Sequence, residues 1–221
     1  MRLVCLVTLI GLCSTRLEAV ELSGRVELVS NGRPLRSEEA VEAVVYFRPT
    51  GPVATAPMPV QVMSTRRKRF MPRVMAITVG TRVDFPNNDP ILHNAFSTSR
   101  GNGFDIGLLG EGETAAVRFD SPGYVRVYCN VHHAMAGHIL VLDTPHFMHP
   151  DSSGHFHLRG LPDVPGEVVV WHDHARPWRR QVSTPAELGT LQVRLDLERR
   201  RVPPHLNKFG RPYGRDSDGG Y

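Results

Sequence analysis

No stretch of this chain repeats apolar residues at every third or fourth position for more than a turn or two. Instead, short runs alternate apolar and polar side chains and are separated by Gly, Pro and Asn. They are GRVELV, AVVYFRP, VMAITV, TRVDFP, AAVRFD, YVRVYC, HILVLD, GHFHLRG, GEVVVWH and LQVRLDL. A period of two is the mark of a strand with one face on a core. About ten such strands predict an all-β chain made of sandwiches or barrels. The one helix candidate, RSEEAVEAV, runs straight into a strand, which leaves room for a turn or two.

Cysteine usage narrows the picture. The chain opens with Met1-Arg2, a short apolar run and a small-residue stretch ending near Ala19, which reads as a secretory signal over residues 1–19. No later run is long and apolar enough to span a bilayer, so a periplasmic or secreted protein is expected. Cys5 and Cys13 leave with the signal, and Cys129 stands alone. No disulfide can then form, and stability must come from apolar cores. The net charge of +4 is matched by residues 199–221, with six Arg/Lys and two Asp. The basicity therefore belongs to a Pro- and Gly-rich tail, read as a disordered end and not as a nucleic-acid arm.

Breaks in the pattern fall near Pro59–Ser64 and Asp143–Pro150. The outer blocks are too short to close a sandwich alone. The first carries Gly24-Arg25-Val26, Gly32-Arg33-Pro34-Leu35 and Ala43-Val44-Val45, and the last carries DSSGHFHLRGLP from Asp151 to Pro162. Together these resemble the halves of a carboxypeptidase-regulatory (transthyretin-like) β-sandwich. The resemblance implies one small sandwich from residues 20–59 and 146–198, with the block 60–145 inserted between its halves. A tandem arrangement is the other possibility.

The central block holds CNVHHAM, Cys129 to Met135. Strand alternation puts Val125, Val127 and Cys129 on one face of YVRVYC, so the thiol ends a core-facing stripe. The turn DSPG before it suggests that Ala115–Asp120 and Tyr124–Cys129 form a hairpin. Cys129, His132 and Met135 then share one short loop, and FPNNDPILHN delivers His93 from another. Two imidazoles, a thiolate and a thioether form the ligand set of a blue copper centre, because soft sulfur donors suit copper and imidazoles bind it strongly. Zinc could take the same ligands without redox chemistry. His133 offers a competing Cys-x-x-x-His spacing.

These residues, with VMAITVGTRVDFPNND, HNAF and FDSPGYVRVYC around them, resemble the cupredoxins. The Cys-x-x-His-x-x-Met spacing is similar to that of amicyanin, and the text is most like bacterial plastocyanin-like proteins labelled methylamine utilization proteins. The resemblance implies a Greek-key sandwich over 60–145, one type 1 copper held by His93, Cys129, His132 and Met135, and Asn94 as a residue tying the two ligand loops. It also implies an exported protein that carries single electrons between protein redox partners and is not an enzyme. Ala134 departs from the bulky aromatic common in such loops. Two rival uses stand beside this: copper binding or delivery without a redox role, and a structural scaffold with a vestigial metal loop.

The remaining signals are weaker. The pairs His155/His157 and His172/His174 read as solvated strand or loop residues. A multicopper oxidase would need more such pairs and a His-Cys-His bridge, which the sequence lacks. Arg66–Arg69, RRKR, reads as a solvated loop or, less readily, as a docking patch for an acidic partner. No catalytic triad, phosphate loop or carboxylate pair stands out.

Overall fold

The computed structural model describes residues 20–198 and 206–212. The expected signal at 1–19, and the tail segments 199–205 and 213–221, lie outside the described residues. The chain is all-β, and its strands form two sandwiches.

In the first sandwich, Val20–Ser30 runs antiparallel to His155–Leu161 and parallel to Thr190–Asp196. The facing sheet orders Phe147–Met148, Val44–Pro49, Gly166–Trp171 and Trp178–Val182, all antiparallel. Leu22, Val26, Val45, Phe47, Val168 and Val193 are among the side chains that fill the space between. Gly24 opens the Gly-Arg-Val motif for a steric reason: a Cβ there would come within 2.4 Å of the Leu191 carbonyl oxygen. The helix candidate is a single 3-10 segment, Ser37–Glu42, that leads into Val44–Pro49.

In the second sandwich, one sheet orders Phe104–Leu109, His93–Ser97, Gly123–Tyr128, Ala136–Leu142 and Val74–Thr78. The other orders Thr114–Phe119, Thr81–Pro86 and Gln61–Val62. The hairpin expected across DSPG does not form. Thr114–Phe119 pairs with Thr81–Pro86, whereas Gly123–Tyr128 pairs with Ala136–Leu142 and His93–Ser97. The turn carries the chain from one sheet to the other, so that Phe119 meets Val125 and Val127 through the core. Alternation reports which face is buried and is silent on which strand is the neighbour.

A third core joins the sandwiches. Val44, Tyr46, Val169 and Trp171 of the first pack against Val74, Ala76, Leu140 and Leu142 of the second. Their sequence neighbours Val45, Phe47, Val168 and Val170 face the first core, and Met75, Ile77, Ile139 and Val141 face the second. These four strands are buried on both faces, which explains why VVYF, VMAI, ILVL and VVVW are nearly unbroken apolar runs. The two links between the sandwiches lie side by side, with Arg48 Nε 3.2 Å from Asp143 Oδ1 and Thr144 Oγ1 donating to the Phe47 carbonyl at 2.8 Å.

At one edge of this junction sits a buried carboxylate. Asp173, with 1% of its side chain exposed, accepts two bonds from the Arg73 guanidinium at 2.7 and 2.8 Å. His138 Nε2 lies 3.0 Å from it and His174 Nε2 3.2 Å. Arg73 also holds Glu42, and Tyr124 OH bonds His138 Nδ1 at 2.6 Å. Burial would raise the Asp173 carboxyl, but His138 and Arg73 outweigh it and hold it far below the usual carboxylate range. His172 and His174, expected as solvated residues, belong to this cluster instead. His172 is 2% exposed, and its Nδ1 accepts the His174 amide proton at 3.1 Å. His155 and His157 are exposed as expected, with side chains 60% and 40% accessible.

Burial, followed by Asp173 acting in the opposite sense, leaves His172 with a pKa lowered from 6.5 to about 4. The unfolded chain therefore takes up a proton that the folded chain refuses between those values. Stability present above pH 6.5 is lost as the pH falls toward 4, by about 3 kcal/mol for this one group. Urea unfolding across that range should show the slope. His172→Asn, which keeps an acceptor for the His174 amide, is expected to flatten it.

Candidate metal centre

Cys129 follows the strand Gly123–Tyr128 and is fully buried. The loop after it is closed by its own backbone: the Cys129 amide donates to the Met135 carbonyl at 3.2 Å, and the Met135 amide to the His132 carbonyl at 2.9 Å. Those two bonds bring His132 back over the thiol and turn Met135 into the same buried cluster as Cys129. His93 begins the strand His93–Ser97, next in the sheet to Gly123–Tyr128, and is buried.

The outcome is convergence. Cys129 Sγ lies 3.8 Å from His93 Nδ1 and 3.8 Å from His132 Nδ1, and the two rings are 4.8 Å apart at their centroids. With bonds of about 2.3 Å to sulfur and about 2.0 Å to nitrogen at trigonal angles, each nitrogen around one metal would stand about 3.7 Å from the sulfur. The separations fit that spacing. The fit extends to the donor chemistry, since two imidazole nitrogens and a soft sulfur face one point with a thioether in the same cluster.

Burial lowers the pKa of His93, but its contacts with Cys129 and Asp89 outweigh this and raise it, while Cys129 and His132 are held in the forms a metal needs. His93 Nε2 donates its proton to Asp89 Oδ2 at 2.8 Å, which orients the ring so that Nδ1 faces the sulfur. Asp89 in turn accepts the backbone amides of Arg67 at 2.6 Å and Lys68 at 2.8 Å. Burial would raise its carboxyl, but the amides of Lys68 and Arg67, with His93, bring it below the ordinary value. Burial would likewise raise the Cys129 thiol. His93 and the backbone groups of Asn94, His132 and Val131 reverse this and favour the thiolate. Burial lowers His132, and the charges of His93 and Lys68 lower it further, so this ring stays neutral and able to ligate.

Asn94 bridges the ligand segments. Its Oδ1 accepts the Asn130 amide at 3.3 Å, while its Nδ2 donates to Asp105 Oδ1 and the Gly107 carbonyl, both at 2.8 Å. The described part of the tail joins this network. Residues 206–212 form a turn whose Lys208 amide donates to Asn130 Oδ1 at 3.1 Å, and Lys208 Nζ pairs with Asp105 at 2.9 Å. That segment, expected as part of a free end, packs beside the loop that follows Cys129.

The structure thus brings together His93, Cys129, His132 and Met135, with Asn94 behind them. Sequence reasoning missed Asp89 and Asp105. Asp89 stands four residues before His93 in NDPILH, where Asp before Pro reads as a turn former. His138 was missed as well, although its strand HILVLD was read.

No protein-family model and no curated protein matches the chain. Solved structures similar to it include a purple cupredoxin from Nitrosopumilus maritimus, 23% identical over 37% of this chain and 99% of that one, with a TM-score of 0.33. A reduced amicyanin variant is 15% identical over 44% of this chain and 99% of its own, with a TM-score of 0.36. A copper-containing nitrite reductase from Thermus scotoductus SA-01 is 28% identical over 52% of this chain and 28% of its own, also at 0.36. The expected likeness to cupredoxins is present in these neighbours. The scores are low, and the chemistry rests on the geometry of His93, Cys129 and His132.

Asp89→Asn keeps one oxygen for the Nε2 proton but loses the charge and one amide acceptor. Copper affinity, measured by competition with a chromophoric chelator, is expected to fall about 10- to 100-fold.

Proposed function

We propose that this protein is an exported carrier of single electrons, built around one type 1 copper and without catalytic turnover of its own. The observation that carries the reading is the convergence of His93 Nδ1 and His132 Nδ1 on Cys129 Sγ, each at 3.8 Å, with the His93 ring oriented by Asp89. His93, Cys129 and His132 would hold the metal with Met135 as a fourth, weaker ligand, and Asn94 would keep the two ligand segments in register. Bound copper supplies the one-electron couple.

The chain's own residues do the rest. Val125, Val127, Phe85 and Ile139 pack beside Cys129 and exclude water from it. The sheet and the two backbone bonds of the loop fix the donors, so little rearrangement accompanies a change of charge. His132 is only half buried, which makes its ring the proposed port for electrons to and from a protein redox partner. Among the described residues no helix is long and apolar enough to cross a membrane, and a periplasmic or secreted location is part of the proposal.

The proposed division of the chain follows the strand pairing. It comprises a signal at 1–19, a transthyretin-like sandwich from 20–59 and 146–198, the copper sandwich at 60–145, and a basic tail at 199–221. Val44–Pro49 pairs with Gly166–Trp171 across the whole central block, in support of an inserted arrangement over a tandem one.

The visible spectrum of the mature protein loaded with Cu(II) tests this. An intense blue thiolate-to-copper band is expected, lost in Cys129→Ser and retained in His133→Ala. A colourless protein, or colour that survives Cys129→Ser, would sink the electron-carrier reading. Loss of the band in His133→Ala would move the second imidazole from His132 to His133.

A further inference from the structure

The run Arg66–Arg69 forms the turn of a small hairpin between Ser64–Thr65 and Phe70–Met71. The Arg66 amide donates to the Arg69 carbonyl at 2.9 Å and the Arg69 amide to the Arg66 carbonyl at 3.1 Å, which leaves Arg67 and Lys68 as a two-residue loop. Both have left-handed backbones, with φ of 53° and 58°. That geometry favours Asn-Gly, and side chains with a Cβ are strained in it. Asn-Gly could make the same turn and offer the same two amides to Asp89. Two long cations stand there instead, and strain held at such a site points to a use for the side chains.

Their surroundings say what use. All four side chains are exposed, and none pairs with a carboxylate among the described residues. Lys68 and Arg69 border a cleft of about 660 Å³ that also takes in Arg126, Phe70, Tyr124 and Met135. Of the cleft's carboxylates, Glu42 and Asp173 are taken up by Arg73, which leaves Glu39 against three cations. Ala134 and Met135, in the loop that carries His132, line the same cleft, so the basic turn and the proposed port are neighbours. Through Asp89 the turn is also fixed to His93.

Resting on the copper reading, the geometry points to the 66–69 turn and the adjoining cleft as the docking surface for an acidic segment of the redox partner. A concave floor edged by cations accepts a protruding loop with Asp or Glu at its tip. A bilayer is flat and would meet only the turn.

The test uses Arg66→Gln, Arg67→Asn, Lys68→Gly and Arg69→Gln together, which removes four charges while relaxing the turn and leaving both amides for Asp89. The blue band is checked first in both proteins, because its absence speaks against the copper reading alone. Oxidation of the Cu(I) protein is then followed with two inorganic oxidants, each taking one electron. These are hexacyanoferrate(III), an anion, and tris(phenanthroline)cobalt(III), a cation. At low ionic strength the variant is expected to react about tenfold more slowly with the anion, and no more slowly with the cation, a difference that salt erases. Equal anion rates would overturn the proposal. In parallel, the copper-free protein is titrated with a decaglutamate peptide and followed by amide chemical shifts. Shifts at 64–71 and 131–134 that vanish in the variant support the docking surface even if copper fails to bind. Shifts confined to the basic tail, or the variant losing only its binding to phosphatidylglycerol vesicles, would overturn it.

Discussion

A carboxylate with 1% of its side chain exposed has to be answered by opposite charge and hydrogen bonds, and Asp173 draws that answer from both sandwiches. Arg73 and His138 come from the second, and His174 from the segment after Trp171 in the first. The Asp173–Arg73–Glu42 chain bonds the two bodies at one edge of the apolar junction, and Arg48–Asp143 with the Thr144–Phe47 bond ties them where the two links run. Removing one member of such a buried cluster leaves an uncompensated charge, at a cost of about 3–5 kcal/mol. His138 lies three residues past Met135, so the clamp also sets the strand that closes the metal loop. Orientation of the sandwiches and placement of the ligand loop are one problem with one solution.

The metal face uses a second buried carboxylate in a different way. Asp89 carries no guanidinium; it is satisfied by two backbone amides and one imidazole proton. Amides are fixed by the chain and do not titrate, so this carboxylate stays ionised and its hold on His93 is steady. The left-handed turn at Arg67 and Lys68 is what aims both amides at it. A strained backbone, an oriented ligand ring and an exposed cluster of cations are thereby parts of one unit. Asn94 does the corresponding work on the other side, where Asp105 and Lys208 join it to the described part of the tail.

Double-sided burial explains why this architecture forms without disulfides. Cys129 is the sole cysteine among the described residues, and it is part of the candidate metal centre. Each of four central strands contributes alternate residues to two cores, so Val44–Pro49 and Gly166–Trp171 serve the first sandwich and the junction together. Val74–Thr78 and Ala136–Leu142 do the same for the second. Apolar area buried twice over stabilises a chain of this length where a single small sandwich would be marginal.

By itself the sequence determined what depends on near neighbours. Period-two alternation made the chain all-β, and the seven residues from Cys129 to Met135 carried three of the four candidate ligands, because loop spacing is a local property. His93 was legible through its own short segment and the resemblance it shares with that loop. Partnership was not legible. The DSPG turn looks like a hairpin turn whether its strands pair or cross the core. His172 and His174 look solvated until Asp173 is seen to be enclosed by residues about 35 and 100 positions earlier. Asp89 looks like a turn former because its role is fixed by two amides about twenty residues upstream. Alternation and spacing report what a residue's own backbone does with its side chain. Which distant group meets that side chain is set only when the sheets pack, since buried charges and amide donors find partners in space and not along the chain.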